Sequence, residues 1–208
     1  AADYAIGSTY ALNLTDRFSV GINGKYIQQS IANSHAKGFA VDFGTLFITP
    51  FGFTLGTSIS NFGPKLRMTG DDLLIGADVD ENIEGNNESV TGVLSTDYFD
   101  LPLVLRIGVS EQFQMGPRNQ IIISADAISP NDNANYINAG LKLQLLDGLI
   151  SLYAGANSLF LDNAESEFSL GGGITIPQIL NNSLSVYFTH EQMKFLGNSQ
   201  QLSISFNY

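Results

Sequence analysis

Large apolar residues alternate with small or polar ones along most of the chain. Tyr4, Ile6, Tyr10 and Leu12 interleave with Ala5, Gly7, Thr9 and Ala11. Phe18, Val20 and Ile22 interleave with Arg17, Ser19, Gly21, Asn23 and Lys25. Phe39, Val41, Phe43 and Phe47 oppose Gly38, Ala40, Asp42 and Gly44, and Phe51, Phe53, Leu55 and Ile59 oppose Gly52, Thr54, Gly56, Ser58 and Ser60. The pattern resumes at Leu103, Leu105, Ile107 and Val109 and recurs through Ile121–Ile123, Ile137–Leu145, Ile150–Ala156, Phe168–Ile176, Leu184–Phe188 and Leu202–Tyr208. A period of two is the signature of a strand with two unlike faces. The pattern predicts roughly eleven strands, each near the ~9–11 residues that a tilted strand needs to cross a bilayer. No stretch keeps a 3.6-residue period, so little helix is expected.

Alternation alone fits either a soluble sandwich, apolar face inward, or a membrane barrel, apolar face toward lipid. Composition separates the two. Charged residues make up 14% of the chain, against about 25% in ordinary globular proteins. Hydrophobic residues reach 44%, with 14 Phe, 8 Tyr and 21 Gly, yet no run approaches the ~18–20 apolar residues of a spanning helix. The second face is mostly Gly, Ser, Asn and Thr, whereas a soluble surface carries more Lys and Glu. The expected fold is therefore all-β, an antiparallel up-and-down transmembrane β-barrel domain over residues 1–208. The formal net charge of -11 argues against nucleic-acid binding, and the absence of cysteine removes disulfides and thiolate metal sites.

The predicted connections form two alternating sets. Short turns fall at Thr15–Asp16, Thr49–Pro50, Met115–Asn119, Asp147–Gly148 and Pro177–Asn182, rich in the Gly, Pro, Asn and Asp of tight turns. Mostly longer connections fall at Ile31–Ala36, Phe62–Asp100, Ser129–Asn133 and Ser158–Glu165, with a very short one at Gly197–Asn198. Outer-membrane barrels have short periplasmic turns and longer outer loops, which places the first set in the periplasm. An odd strand count leaves the first strand needing a partner, because lipid supplies none; at least one N-terminal strand is therefore expected to be missing. No signal peptide is visible at Ala1, so a processed or truncated N-terminus is expected.

The long acidic loop at 62–100 is read as irregular, with Lys65 and Arg67 near its start and Asp71, Asp72, Asp78, Asp80, Glu81 and Glu84 following. It is either a solvated acidic loop or a docking surface for a secreted partner. Asp78, Asp80 and Asn82 mimic the start of a calcium loop, but Ile83 stands where that loop needs Gly. No metal or other cofactor is expected. The inner face is expected to carry Arg17, Lys25, Asp42, Arg106, Asp126, Lys142, Glu167 and Glu191, a lumen network in which opposite charges or water must meet each ion. The alternative is a solute path. Neither His35 nor His190 lies in a recognisable catalytic motif, and no enzyme is expected. The Gly171–Gly173 run lies within a strand pattern; its expected use is strand bending or room for an aromatic ring, not phosphate binding.

Several segments resemble the PorV/PorQ-like family, a branch of the FadL-type outer-membrane barrels: LTDRFSVGINGKYI at 14–27, VDFGTLFITPFGFTLGTSISNFGPKLRMTGDDL at 41–73, LPLVLRIGVS at 101–110 and ISPNDNANYINAGLKL at 128–143. The resemblance implies a barrel of about fourteen strands, of which this chain is the C-terminal portion. It also implies a role in type IX-like secretion, as a shuttle or anchor that passes secreted cargo proteins to other secretion-system subunits at the cell surface. A FadL-type channel for hydrophobic solutes and a structural subunit of a surface assembly are the alternatives. Leu202, Ile204, Phe206 and Tyr208 look like the terminal signal read by barrel-assembly machinery. The implied surroundings are outer-membrane lipid.

Overall fold

The alternating segments fold as strands because their β-branched and aromatic residues suit a pleated surface with unlike faces. The structure, a computed structural model, describes residues 1–77, 90–162, 164–179, 182–194 and 197–207. The fold is all-β. Long strands run over β1 (Ala2–Thr15), β2 (Phe18–Ile31), β3 (Ser34–Ile48) and β4 (Thr54–Phe62). Short strands follow at β5 (Leu66–Arg67), β6 (Thr69–Gly70), β7 (Leu74–Ala77), β8 (Val90–Val93) and β9 (Tyr98–Phe99). Long strands then resume at β10 (Val104–Gln114), β11 (Gln120–Pro130), β12 (Tyr136–Leu145), β13 (Ile150–Leu159), β14 (Ser166–Ile179), β15 (Asn182–Met193) and β16 (Ser199–Asn207). One sheet joins them in the order β1-β2-β3-β4-β10-β11-β12-β13-β14-β15-β16, with β6 on β3. The long strands thus follow each other up and down in chain order, as the alternation predicts. Among the described residues the helical content is a single 3-10 turn at Asp71–Leu73.

Two of the connections expected to be longer differ from expectation, and of the expected turn at Pro177–Asn182, Pro177–Ile179 belong to β14 and Asn182 to β15. Ile31–Ala36 is not a long loop: β2 runs through Ile31, β3 starts at Ser34, and Ala32 takes φ 48° in the two-residue turn between them. The stretch at 62–100 is not irregular throughout. Leu66 and Arg67 pair with Phe99 and Tyr98, and Leu74–Ala77 pair with Val93–Val90. Both segments are too short for periodicity to register, which is why the pattern shows neither.

The chain divides into two compact units, one of residues 1–11, 21–43 and 59–103, the other of 12–20, 44–58 and 104–208. In the second unit the registers of β10–β16 fix the two faces. One face runs through Ile107, Ala127, Ile137 and Leu141, then Leu152, Leu170, Ile174, Val186 and Ile204. All of these except Ala127 are large, and the large ones are exposed, Ile174 at 55% and Ile204 at 60%. The opposite face runs through Ser110, Ser124, Gly140, Gly155 and Ser169, with Gln112, Gln120 and Gln144 beside them. Here the sheet buries its polar side: Ser151 is 3% and Ser185 1% exposed. Along the exposed face Phe47, Phe53, Phe113 and Phe206 lie at strand ends next to the short turns, with Phe18 edge-on to Phe47 at 6.3 Å between centroids.

The Gly171–Gly173 run does make room for a ring. Gly173 pairs with Tyr187, and a Cβ on Gly173 would overlap the Tyr187 ring edge. Tyr187 in turn meets Tyr153 edge-on at 6.1 Å between centroids. Gly173→Val should push Tyr187 off the strand and lower stability by about 1–3 kcal/mol, the usual range for overpacking. A urea midpoint that falls measurably in refolding assays supports this; an unchanged midpoint contradicts it.

Candidate functional site

In the first unit, the side chain of Asp42 on β3 meets that of Lys25 on β2. Both are half-buried, and their side chains pair at 2.7 Å. A carboxylate away from bulk water needs several donors, and Asp42 has them: Asn23 Nδ2 donates at 2.9 Å and the Asn61 backbone N–H at 2.7 Å. Lys25 Nζ also donates to Asn61 Oδ1 at 2.5 Å, and Asn61 Nδ2 donates to the Pro102 carbonyl at 2.8 Å. Thr9 donates to Asn23 Oδ1 at 3.1 Å. Asn61 reaches this cluster by leaving strict alternation: its φ of 62° is left-handed, a region Asn tolerates better than most residues.

Asn61 leads into residues that return to β3 at Leu66 and at Leu101. Leu66, 2% exposed, and Leu101, 5% exposed, cover Ala36 and Ala40, with Ile27, Met68 and Phe99 around them. A Cβ on Gly38 would overlap Leu66, so the small residues of β3 form the seat of that side chain. Further along, Ser34 pairs with Gly70 and His35 with Thr69. Asp72 accepts from the Asn33 backbone N–H at 2.8 Å and from Asn33 Nδ2 at 3.1 Å.

The acidic-loop candidates therefore divide. Lys65 pairs with Asp100 at 3.0 Å, both exposed. Arg67 lies 5.6 Å from the Tyr98 ring centroid and donates to Ser95 Oγ at 2.7 Å. Asp71 is exposed in the 3-10 turn, whereas Asp72 is tied to Asn33. Asp78, Asp80, Glu81 and Glu84 lie outside the described residues, as does Tyr208. Leu202, Ile204 and Phe206 are exposed on β16.

The inner-face candidates also divide. Lys25 and Asp42 come together, as described. Arg17 sits in the β1–β2 turn, exposed, its carbonyl accepting from Ile48 N at 2.8 Å. It is not on a strand face, because β1 ends at Thr15, whose Oγ1 caps the turn from Arg17 N at 3.2 Å and Phe18 N at 3.0 Å. In the second unit Arg106 and Asp126 share a hollow with Gly56, Ser58 and Gly108, without an ion pair between them. Lys142 lies 5.5 Å from the Tyr153 ring centroid. Glu191 accepts from Asn157 Nδ2 at 3.2 Å and from Ser166 Oγ. Glu167 lies within β14. The charges thus form separate local clusters. The polar partners Asn23, Asn61, Asn157 and Ser166 were not singled out by sequence. Asn61 carries the one usable signal, an Asn close to Gly63-Pro64 at a strand end.

Among the described residues, no group of three His, Asp or Glu is placed to hold a metal ion. What the arrangement can do is mechanical and electrostatic. It fixes one segment against a polar sheet face and leaves the opposite face apolar and exposed.

No protein-family profile matches the chain. No curated protein matches it. Among solved structures, it is similar to the crystal structure of a FadL homologue from Pseudomonas aeruginosa, at 13% identity and a TM-score of 0.49 over 98% of this chain. The chain spans 65% of that protein.

Proposed function

We propose that this chain is part of an outer-membrane β-barrel that works by binding other proteins at the cell surface, without enzymatic chemistry. The observation that carries this reading is the reversal of sides in β10–β16. The large aliphatic residues are exposed, while Ser151 and Ser185 are buried on the other face. In water such a sheet would leave a wide apolar surface unprotected. In a bilayer the same surface is solvated by acyl chains, and the small polar face can meet water or its own loop.

The finer role follows the PorV/PorQ-like resemblance: a shuttle or anchor for secreted cargo in type IX-like secretion. The exposed acids Asp71, Asp97 and Asp100, with Lys65, give the 62–103 segment a charged surface for such a partner. The packing of Leu66 and Leu101 on the polar face supports a protein-handling role over an open solute channel, because the segment occupies the face a solute would follow.

The test is fractionation followed by crosslinking. The protein should sediment with outer membranes, resist carbonate extraction and migrate heat-dependently on gels, and secreted proteins should crosslink to it. Neutralising Asp71 and Asp97 to Asn should weaken that crosslinking. Recovery in a soluble fraction sinks the membrane reading. Membrane recovery with crosslinking indifferent to both acids sinks the docking role.

A further inference from the structure

We propose that the hollow bordered by Arg106 and Asp126, on the polar face of β10 and β11, binds a small zwitterion, an α-amino acid of glycine or alanine size. Gly108 pairs with Asp126 and Arg106 with Ile128, so Arg106 and Asp126 are diagonal neighbours on one face. Diagonal neighbours lie ~7–8 Å apart, within reach of long side chains. Opposite charges on neighbouring strands can close into a pair, as Lys25 and Asp42 do at 2.7 Å. Arg106 and Asp126 do not. Among the described residues they form no ion pair, with each other or with a third residue, and no side-chain hydrogen bond. The Asp126 carboxylate lies over Gly108 instead, where a Cβ would overlap its Oδ1. The two charges border a hollow of about 160 Å³, lined also by Gly56 and Ser58 of β4.

The charges decide what the hollow takes. A lone anion would be drawn to the Arg106 guanidinium but repelled by the Asp126 carboxylate, and a lone cation would meet the reverse. A ligand that carries both charges satisfies both walls at once. The guanidinium fork matches a carboxylate through two parallel hydrogen bonds, and Asp126 accepts from an ammonium group. Ser58 lines the same hollow and adds a hydroxyl as a third polar contact. The volume limits the size, since pockets for drug-sized ligands run ~300–1,000 Å³. Gly56 and Gly108 put no side chain into the space. Arg106 is exposed and Asp126 half-buried, so the hollow is open to a ligand from solvent. The Lys25–Asp42 cluster, whose charges already meet each other, has no comparable demand.

Equilibrium dialysis of the refolded protein against radiolabelled glycine reads the site directly. It works in detergent as well as in vesicles, so the result does not depend on the proposed membrane setting or on protein docking. Binding should saturate at one glycine per chain. Acetate and methylammonium, which each carry one of the two charges, should compete at least tenfold more weakly than alanine does. That comparison needs no variant. Arg106→Gln and Asp126→Asn should each weaken glycine binding at least tenfold, the expected loss of one charge-assisted contact. Gly108→Ala, whose methyl would displace the Asp126 carboxylate, should weaken it too. Arg118→Gln, in the turn between β10 and β11, should leave it unchanged. No saturable glycine binding by the unaltered protein would overturn the proposal and leave a hollow that holds only water. Acetate or methylammonium competing as well as alanine would overturn it as well, because one of the two charges would then play no part.

Discussion

Ile174→Arg should severely impair folding into membranes. Ile174 is exposed in the middle of β14, on the face it shares with Val186 and Ile150. An arginine facing the bilayer midplane costs about 2–4 kcal/mol, a large part of the margin of a typical domain. Gln201→Arg, on the opposite face and paired with Thr189, should stay within about 0.5 kcal/mol, as a water-facing substitution does. Urea titration of the protein refolded into lipid vesicles reads both. In water a buried apolar face would suffer far more from a charge than an exposed one. Equal tolerance at the two positions would therefore contradict a lipid-facing side.

Lys25→Met is the second large effect. It leaves Asp42 ionised with only Asn23 and the Asn61 backbone as donors. Breaking a fully buried pair costs roughly 3–5 kcal/mol, and because these groups keep some contact with water, the expected loss is lower, about 2 kcal/mol. Adding Asp42→Leu should restore much of it, since the uncompensated charge is then gone. A double-mutant cycle in vesicles gives the coupling. Strictly additive losses would show that the pair acts as two independent side chains.

Strand count, order and the sidedness of the long strands were legible in the sequence for a simple reason. Over ten residues, a period of two accumulates enough repeats to stand out, as in Leu103–Ser110 and Ile137–Leu145. The two-residue strands β5, β6 and β9 carry no period at all. They form because Leu66 finds a seat over Gly38 and because Asp72 reaches Asn33, contacts between residues far apart in the chain. Alternation also assumes regular backbone. It gives Asn61 no role on the polar face, since its parity matches Ile59, and only a left-handed φ brings it to Lys25. Arg17 fails in the opposite way: its parity suits the polar face, but the turn begins before the strand reaches it. Lys25 and Asp42 could be placed on one face by parity, yet their pairing depends on inter-strand register, which parity does not fix.

Which face meets lipid is read most directly by fluorescence quenching. Single cysteines at Leu152, Ile174 and Ile204 on one face, and at Gln201 and Ser203 on the other, would carry an environment-sensitive fluorophore in vesicles that contain brominated lipid. The first three should be quenched by the brominated chains and shielded from aqueous iodide, and the last two should show the reverse. Iodide quenching at Leu152, Ile174 and Ile204 with no effect of the brominated chains would contradict a membrane-embedded sheet.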